Sequence, residues 1–217
     1  MFHETDLWHA VKPGDLVTLS DMQTLISRLK AGNGPTPENY EISQVLTIGQ
    51  RDSLATWRFL KLGETTQWLM VKIVDRNVAL SILRDAPDWE PATREELVNK
   101  ELLFMFVAPD NPDNFEYDEL RYVKMIDESN PEVNGNAYTN FFMKPQGEQH
   151  AVAEWQPPQS GIGSLVATIV EYAAEANKGF VDSELVIVEI GSKDALGVIK
   201  FLVGRSIASV DVKVAQH

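Results

Sequence analysis

Four histidines, His3, His9, His150 and His217, are the side chains best suited to proton transfer near neutral pH or to holding a transition metal. Either task needs partners at a set spacing. His3 and His9 stand six residues apart, which is not a helical pairing, and no motif ties an acidic neighbour to any of the four. Asp110, Asp113, Glu116, Asp118 and Glu119 could offer oxygen ligands to Ca²⁺. A calcium loop of the helix–loop–helix type needs acids at alternate positions and a glycine for its turn; here Pro112 takes one such place and the glycine is missing. A solvated acidic loop is the expectation. Gly161-Ile162-Gly163-Ser164-Leu165-Val166 has the opening of a dinucleotide fingerprint, but no strand precedes it and its last glycine is absent, so it reads as a loop. Serine elbows, phosphate-cradling Walker loops and HExxH are all missing, and there is no cysteine for thiolate chemistry, disulfides or zinc. No catalytic, cofactor-binding or metal-binding residue is assigned. An enzyme whose site assembles from distant residues stays open, with the balance against it.

The five tryptophans, Trp8, Trp57, Trp68, Trp89 and Trp155, could line a ligand pocket, although tryptophan more often packs a core or a rim. Trp89 is the candidate for a partner anchor, because it sits in a proline-flanked loop.

The spine that must position any site is Glu184–Val214, with three β-branched runs broken by GSKD and GRSIAS. Such runs predict buried strands. The middle run also fits a helix capped by Ser192. Gly197 and the Val/Ile/Phe content favour a strand, with a hairpin at GSKDA and a bulge or sheet corner at Gly204. Upstream, Leu16–Leu19 predicts a strand. Ser20 with Gln23 has capping-box spacing, and a helix over 21–31 puts Met22, Leu25, Ile26 and Leu29 on one face before Gly32 stops it. Strands are expected at 40–49, at 56–62 and 67–74 around the Gly63–Thr66 tip, and at 78–85, 101–107 and 120–126. Thr93 with Glu96 offers a second helix start. Residues 108–119 read as a loop. Residues 137–144 and 150–155 read as a hairpin across PQGEQ. Residues 164–178 read as a helix, with a strand ending near Tyr172 as the alternative.

Few, grouped helices among many short strands predict an α+β fold with mainly antiparallel sheets and two or three helices. The chain reads as one globular unit, 1–217, whose linkers allow two lobes, 5–128 and 137–214, joined by 129–136. The 217 residues carry a formal net charge of −13, with 44% hydrophobic content. That excludes nucleic acid and anionic lipid as expected partners, since the scattered lysines and arginines form no cluster along the sequence. No apolar run is long enough to span a membrane as a helix and no secretory leader is seen, so a cytoplasmic location is expected.

Trp57-Arg58-Phe59-Leu60, Trp68-Leu69-Met70-Val71, Glu184-Leu185-Val186-Ile187-Val188 and Val203-Gly204, in this order, resemble the uncharacterised bacterial YjfK-like family over about a third of the chain. The resemblance implies a bacterial cytoplasmic accessory protein working with membrane-stress partners, among them a phage-shock-type, membrane-associated coiled-coil protein. It carries no activity and no site residue. The expected function is a non-enzymatic, acidic protein–protein interaction module. The alternative is a small-molecule-binding or hydrolytic domain with a pocket between the lobes, near His150 or the 110–119 acids.

Overall fold

The segment Ala55–Leu62 shows how this sequence makes sheet. Trp57 and Phe59 point to one side, Arg58, Leu60 and Leu62 to the other, and all five are buried. A strand covered on both faces cannot alternate apolar with polar residues, so it becomes a dense run of large side chains. The neighbouring Gln67–Val74 is built the same way, with Trp68 and Met70 facing opposite to Leu69, Val71 and Ile73. The computed structural model describes residues 4–32, 34, 36–50, 55–86, 114–117, 120–124, 137–138, 141–149, 166–176, 179–192 and 195–216.

Two helices come early, α1 (Glu4–Ala10) and α2 (Met22–Lys30), on either side of β1 (Leu16–Leu19). An antiparallel meander follows: β2 (Glu38–Gln50), β3 (Ala55–Leu62), β4 (Gln67–Val74) and β5 (Asn77–Asp85). After it come β6 (Asn114–Tyr117), β7 (Leu120–Lys124), β8 (Ala137–Tyr138) and β9 (Phe141–Gly147). The long strands β10 (Val166–Ala176), β11 (Gly179–Ser192) and β12 (Ala195–Ile207) lead to β13 (Val212–Ala215). Among the described residues these make one 13-stranded sheet in the order β13-β1-β2-β3-β4-β5-β12-β11-β10-β7-β6. In addition β9 lies on β2 and β8 on β10, and every ladder is antiparallel.

The sheet is not flat. β10 is five strand positions from β3, which would separate them by about 24 Å in a plane. Yet the Trp57 indole N–H of β3 donates to Glu171 Oε1 of β10 at 3.4 Å. Accumulated strand twist has therefore coiled the sheet so that its two halves meet across one face. That concave face holds the first core, with Leu46, Trp57, Phe59, Trp68, Ile169 and Val188. The second core lies on the outer face, where Val17 and Leu19 of β1, Val212 of β13 and Trp8 of α1 cover Leu60, Leu69, Val71 and Leu80. A register shift in β2 between Ile42 and Gln44 marks where β1 leaves β2 and β9 takes its place.

The joint between the meander and the C-terminal hairpin is β12. Its first part pairs with β11 and its last part with β5, overlapping at Leu202–Gly204. Gly204 is neither a bulge nor an offset, since the register against β5 runs unbroken from Leu202 to Ile207. It is a point of close approach: a Cβ there would lie 1.8 Å from the Ile82 carbonyl oxygen.

Several sequence expectations are corrected. The fold is predominantly antiparallel β rather than α+β. Of the helix expected over 164–178, the described residues 166–176 form the strand β10 instead. Ile169, Tyr172 and Ala173 do fall at helical spacing, but Ile169, Val170, Glu171, Tyr172 and Ala174 are all buried. Burial on both faces erases the period-2 signal and leaves alanines to mimic a helix. Residues 195–203 are strand, as preferred. Within the expected 108–119 loop, Asn114–Tyr117 is a strand paired to β7. Pro145–Gly147 does not turn but stays in β9, paired with Leu46–Gln44, and Gly147 (φ 145°) fits where a Cβ would sit 3.0 Å from the Ser43 carbonyl oxygen. The helix at Thr93, the strand at 101–107 and the segments 129–136 and 150–155 lie outside the described residues.

α2 forms as expected, but its cap is Asp21, whose Oδ1 accepts from the Gln23 and Thr24 amides. Ser20 instead donates its hydroxyl to the Asp211 carbonyl, tying the start of α2 to the turn at Ser209–Asp211. Arg205 of β12 forms an ion pair with the same Asp21 oxygen.

Candidate functional site

Three features stand out from the packing: a basic pocket, a mixed hollow and an uncovered helix stripe.

The basic pocket follows from strand register. β2 pairs Thr47 with Arg58 of β3 on one side and with Lys144 of β9 on the other. Three strands thus place Lys144, Thr47 and Arg58 in one row on one face. Next along that face, Thr56 of β3 stands opposite Gly49, whose missing side chain leaves room. The end of α1 closes the far wall with His9, Ala10, Val11 and Lys12, and Gln146 completes a cavity of about 390 Å³.

Arg58 holds that wall in place. Its Nη2 donates to the Val11 carbonyl at 2.6 Å, its Nη1 to the Trp8 carbonyl, and its Nε to Thr47 Oγ1 at 3.2 Å. Carbonyls at a helix C-terminus lack intrahelical partners, and a cation there also meets the negative end of the helix dipole. Burial pushes the guanidinium down to about 10, against the opposing pull of Asp15. Asp15 itself is buried and accepts the Lys12 amide at 2.9 Å. Partial burial, and next the Arg58 charge, lower the His9 imidazole below its ordinary value, while Asp6 acts the other way. No acidic side chain lines this pocket, and among the described residues Lys12 and Lys144 make no ion pair.

The mixed hollow, about 520 Å³, lies where three turns meet the β2 irregularity, with Glu41, Glu64 and Glu148 facing Lys61. Carboxylates outnumber the single lysine there three to one, yet no group of three metal-ligating side chains forms among the described residues.

The inner face carries polar side chains too. Lys72 pairs with Glu171 beside the Trp57 ring, and the Trp68 indole N–H donates to Asp85 Oδ1 at 2.9 Å. Opposite Gly204, which has no side chain to intervene, Glu184 spans β12. It accepts from Ser81 of β5 at 2.6 Å and from Ser206. These contacts fasten the two halves of the coiled sheet.

The third feature is α2. Met22 is 70% exposed, Ile26 43% and Leu29 53%, so three of the four residues of the apolar stripe read from the sequence face water, while Leu25 is half-buried. Val210, 80% exposed, sits in the turn bound to the start of the helix.

Of the residues singled out for chemistry, only His9 falls in one of these features. His3, His150 and His217 lie outside the described residues, as do Asp110, Asp113, Asp118, Glu119 and residues 161–165; Glu116 is in β6 and Val166 opens β10. Trp8, Trp57 and Trp68 are core residues, while Trp89 and Trp155 lie outside the described residues. Sequence reasoning missed Lys12, Arg58 and Lys144 as a group. Reading lysines and arginines along the chain finds no cluster, because the cluster exists only across strands. No helix of the described residues is long and apolar enough to cross a membrane. No family model matches the chain, and neither the curated proteins nor the solved structures give a match.

Proposed function

We propose that the chain is a non-enzymatic, cytoplasmic accessory module that binds another protein through the α2 stripe, and that the partner presents an apolar helical face of coiled-coil type. The observation that carries this is the exposure of Met22, Ile26 and Leu29 at i, i+4 and i+7, with Val210 alongside. A short helix gains its stability mainly from burying such a stripe. This one is instead held by its Asp21 cap, the Asp21–Arg205 pair and the Ser20 link, and its apolar face is left available. Covering the stripe is worth on the order of 3–5 kcal/mol, enough to select a partner helix packed ridge-into-groove. The resemblance to the YjfK-like family supports a coiled-coil membrane-stress protein as that partner. A second reading, small-molecule binding, is favoured by the basic pocket.

The test is site-specific photo-crosslinking in cells with a photoreactive residue at position 26 or 29, and at exposed Lys213 as control. The expected result is an adduct with a coiled-coil protein from 26 and 29, absent from 213, and lost in I26E and L29E variants of unchanged unfolding midpoint. Equal labelling from 213, self-adducts alone, or no adduct from either α2 position would overturn the proposal.

A further inference from the structure

We infer that the cavity between the end of α1 and β9 is a binding site for a phosphate group carried by a small, hydroxyl-rich molecule. The inference stands apart from the α2 contact and rests on different residues. Lys12, Arg58 and Lys144 converge on one cavity in a chain whose formal net charge is −13. Chance placement on so acidic a surface would surround lysines with carboxylates, yet none lines the cavity. Two acids act on the cavity from outside its lining: Asp15, buried beneath it and occupied with the Lys12 amide, and Asp6, which pulls on His9. Three cations against one buried carboxylate leave an excess that suits a dianion better than a monocarboxylate.

The division of labour is chemical. Arg58 is fixed, with each nitrogen already donating to a neutral oxygen, so it supplies positive potential and a rigid floor. Lys12 and Lys144 are exposed, flexible and able to close on phosphate oxygens as point charges. Burial is the larger cause of the lowered proton affinity of His9, and the Arg58 charge, the second cause, is the part that agrees with a positive potential at this place.

Size and lining narrow the ligand. About 390 Å³ is within the range of small-molecule pockets and more than an inorganic ion needs. Thr47, Thr56 and Gln146 offer hydroxyl and amide groups, while the wall holds no Phe, Tyr or Trp and its aromatic ring is the small His9 imidazole. That pattern fits hydroxyls of a phosphorylated sugar or polyol and gives a nucleobase no large aromatic platform to stack on.

Calorimetric titration of the full chain with inorganic phosphate, glucose 6-phosphate and adenosine monophosphate, each to about 10 mM, tests this. The expected result is saturable binding of glucose 6-phosphate, tighter than that of phosphate. It should weaken at least about tenfold in K12Q/K144Q and stay unchanged in K213Q. Both altered lysines are exposed, so the double variant folds, which its circular dichroism checks. A second readout is the His9 imidazole resonance, assigned by its loss in H9Q: bound phosphate raises its titration midpoint. No saturable binding of either glucose 6-phosphate or phosphate, equal affinity in the double variant, or an unmoved His9 midpoint at saturation would overturn the site. Tighter binding of adenosine monophosphate than of glucose 6-phosphate would overturn the ligand class.

Discussion

Gly204→Ala separates the close approach of β12 and β5 from every other role a glycine can have. Its φ is not in the left-handed region, so no backbone strain enters. The added Cβ would meet the Ile82 oxygen at 1.8 Å, the Ile82 carbonyl carbon at 2.8 Å and Leu83 Cα at 2.8 Å, all backbone atoms of β5. No side chain can rotate away, so the strands must part by more than an ångström. Overpacking against soft neighbours costs about 1–3 kcal/mol. Against backbone the upper end applies, and one or two ladder hydrogen bonds of about 1 kcal/mol each are lost with it. The sum is about 3–5 kcal/mol, a large part of the stability of an ordinary domain. It falls on the ladder that joins the meander to the C-terminal hairpin and would also pull Glu184 from Ser81. Urea unfolding followed by tryptophan fluorescence reads the loss as a lower midpoint. Two controls bracket the effect. Gly34→Ala meets nothing within 4 Å and should be near neutral, whereas Gly32→Ala meets nothing but has φ +78° and should cost about 1 kcal/mol. A Gly204→Ala protein within about 0.5 kcal/mol of the parent would refute the reasoning.

Three further outcomes are expected. Glu171→Ala strands Lys72 inside the coiled sheet and should cost about 3 kcal/mol, with K72M/E171L recovering most of it; a single-variant loss under about 1 kcal/mol by urea unfolding would argue against the pair as a fastener. For Asp21, burial opposes ionisation, but the Thr24 hydroxyl and amide, and then Arg205, outweigh it and hold the carboxyl below its ordinary 3.8. Its contribution is therefore complete above pH 3.8 and lost as pH falls through the lower folded value, so Asp21→Asn should flatten the acid limb of stability and cost about 1 kcal/mol at neutral pH. The folded His9 resists a proton that the unfolded chain accepts from about pH 6.5 downward. Stability should thus decline below that pH, and His9→Gln should remove this part of the slope in chemical denaturation series.

Much of the architecture was readable before any coordinates. The hairpin tip at Gly63–Thr66, the strands of the meander, α2 with Gly32 at its end and the strand character of Glu184–Val214 all follow from local chemistry: turn residues, β-branched runs and caps. Where the reading failed, the cause was non-local. β10 passed for a helix because both its faces are covered. The cap moved from Ser20 to Asp21 because Asp211, brought close by folding, claims the serine hydroxyl. Gly204 was marked as special, but only the neighbouring strand shows that the constraint is the Ile82 carbonyl.

Composition by itself determined that this is an acidic chain without cysteine, able to bury a large apolar core, and local pattern determined most of its strands. The tertiary structure alone decided that the sheet coils until Glu171 meets Trp57, that most of the α2 stripe is left in water, and that Lys12, Arg58 and Lys144 share a cavity. The physical reason is that hydrogen-bonded register converts residues 47, 58 and 144 into one row, and no distance along the chain carries that adjacency.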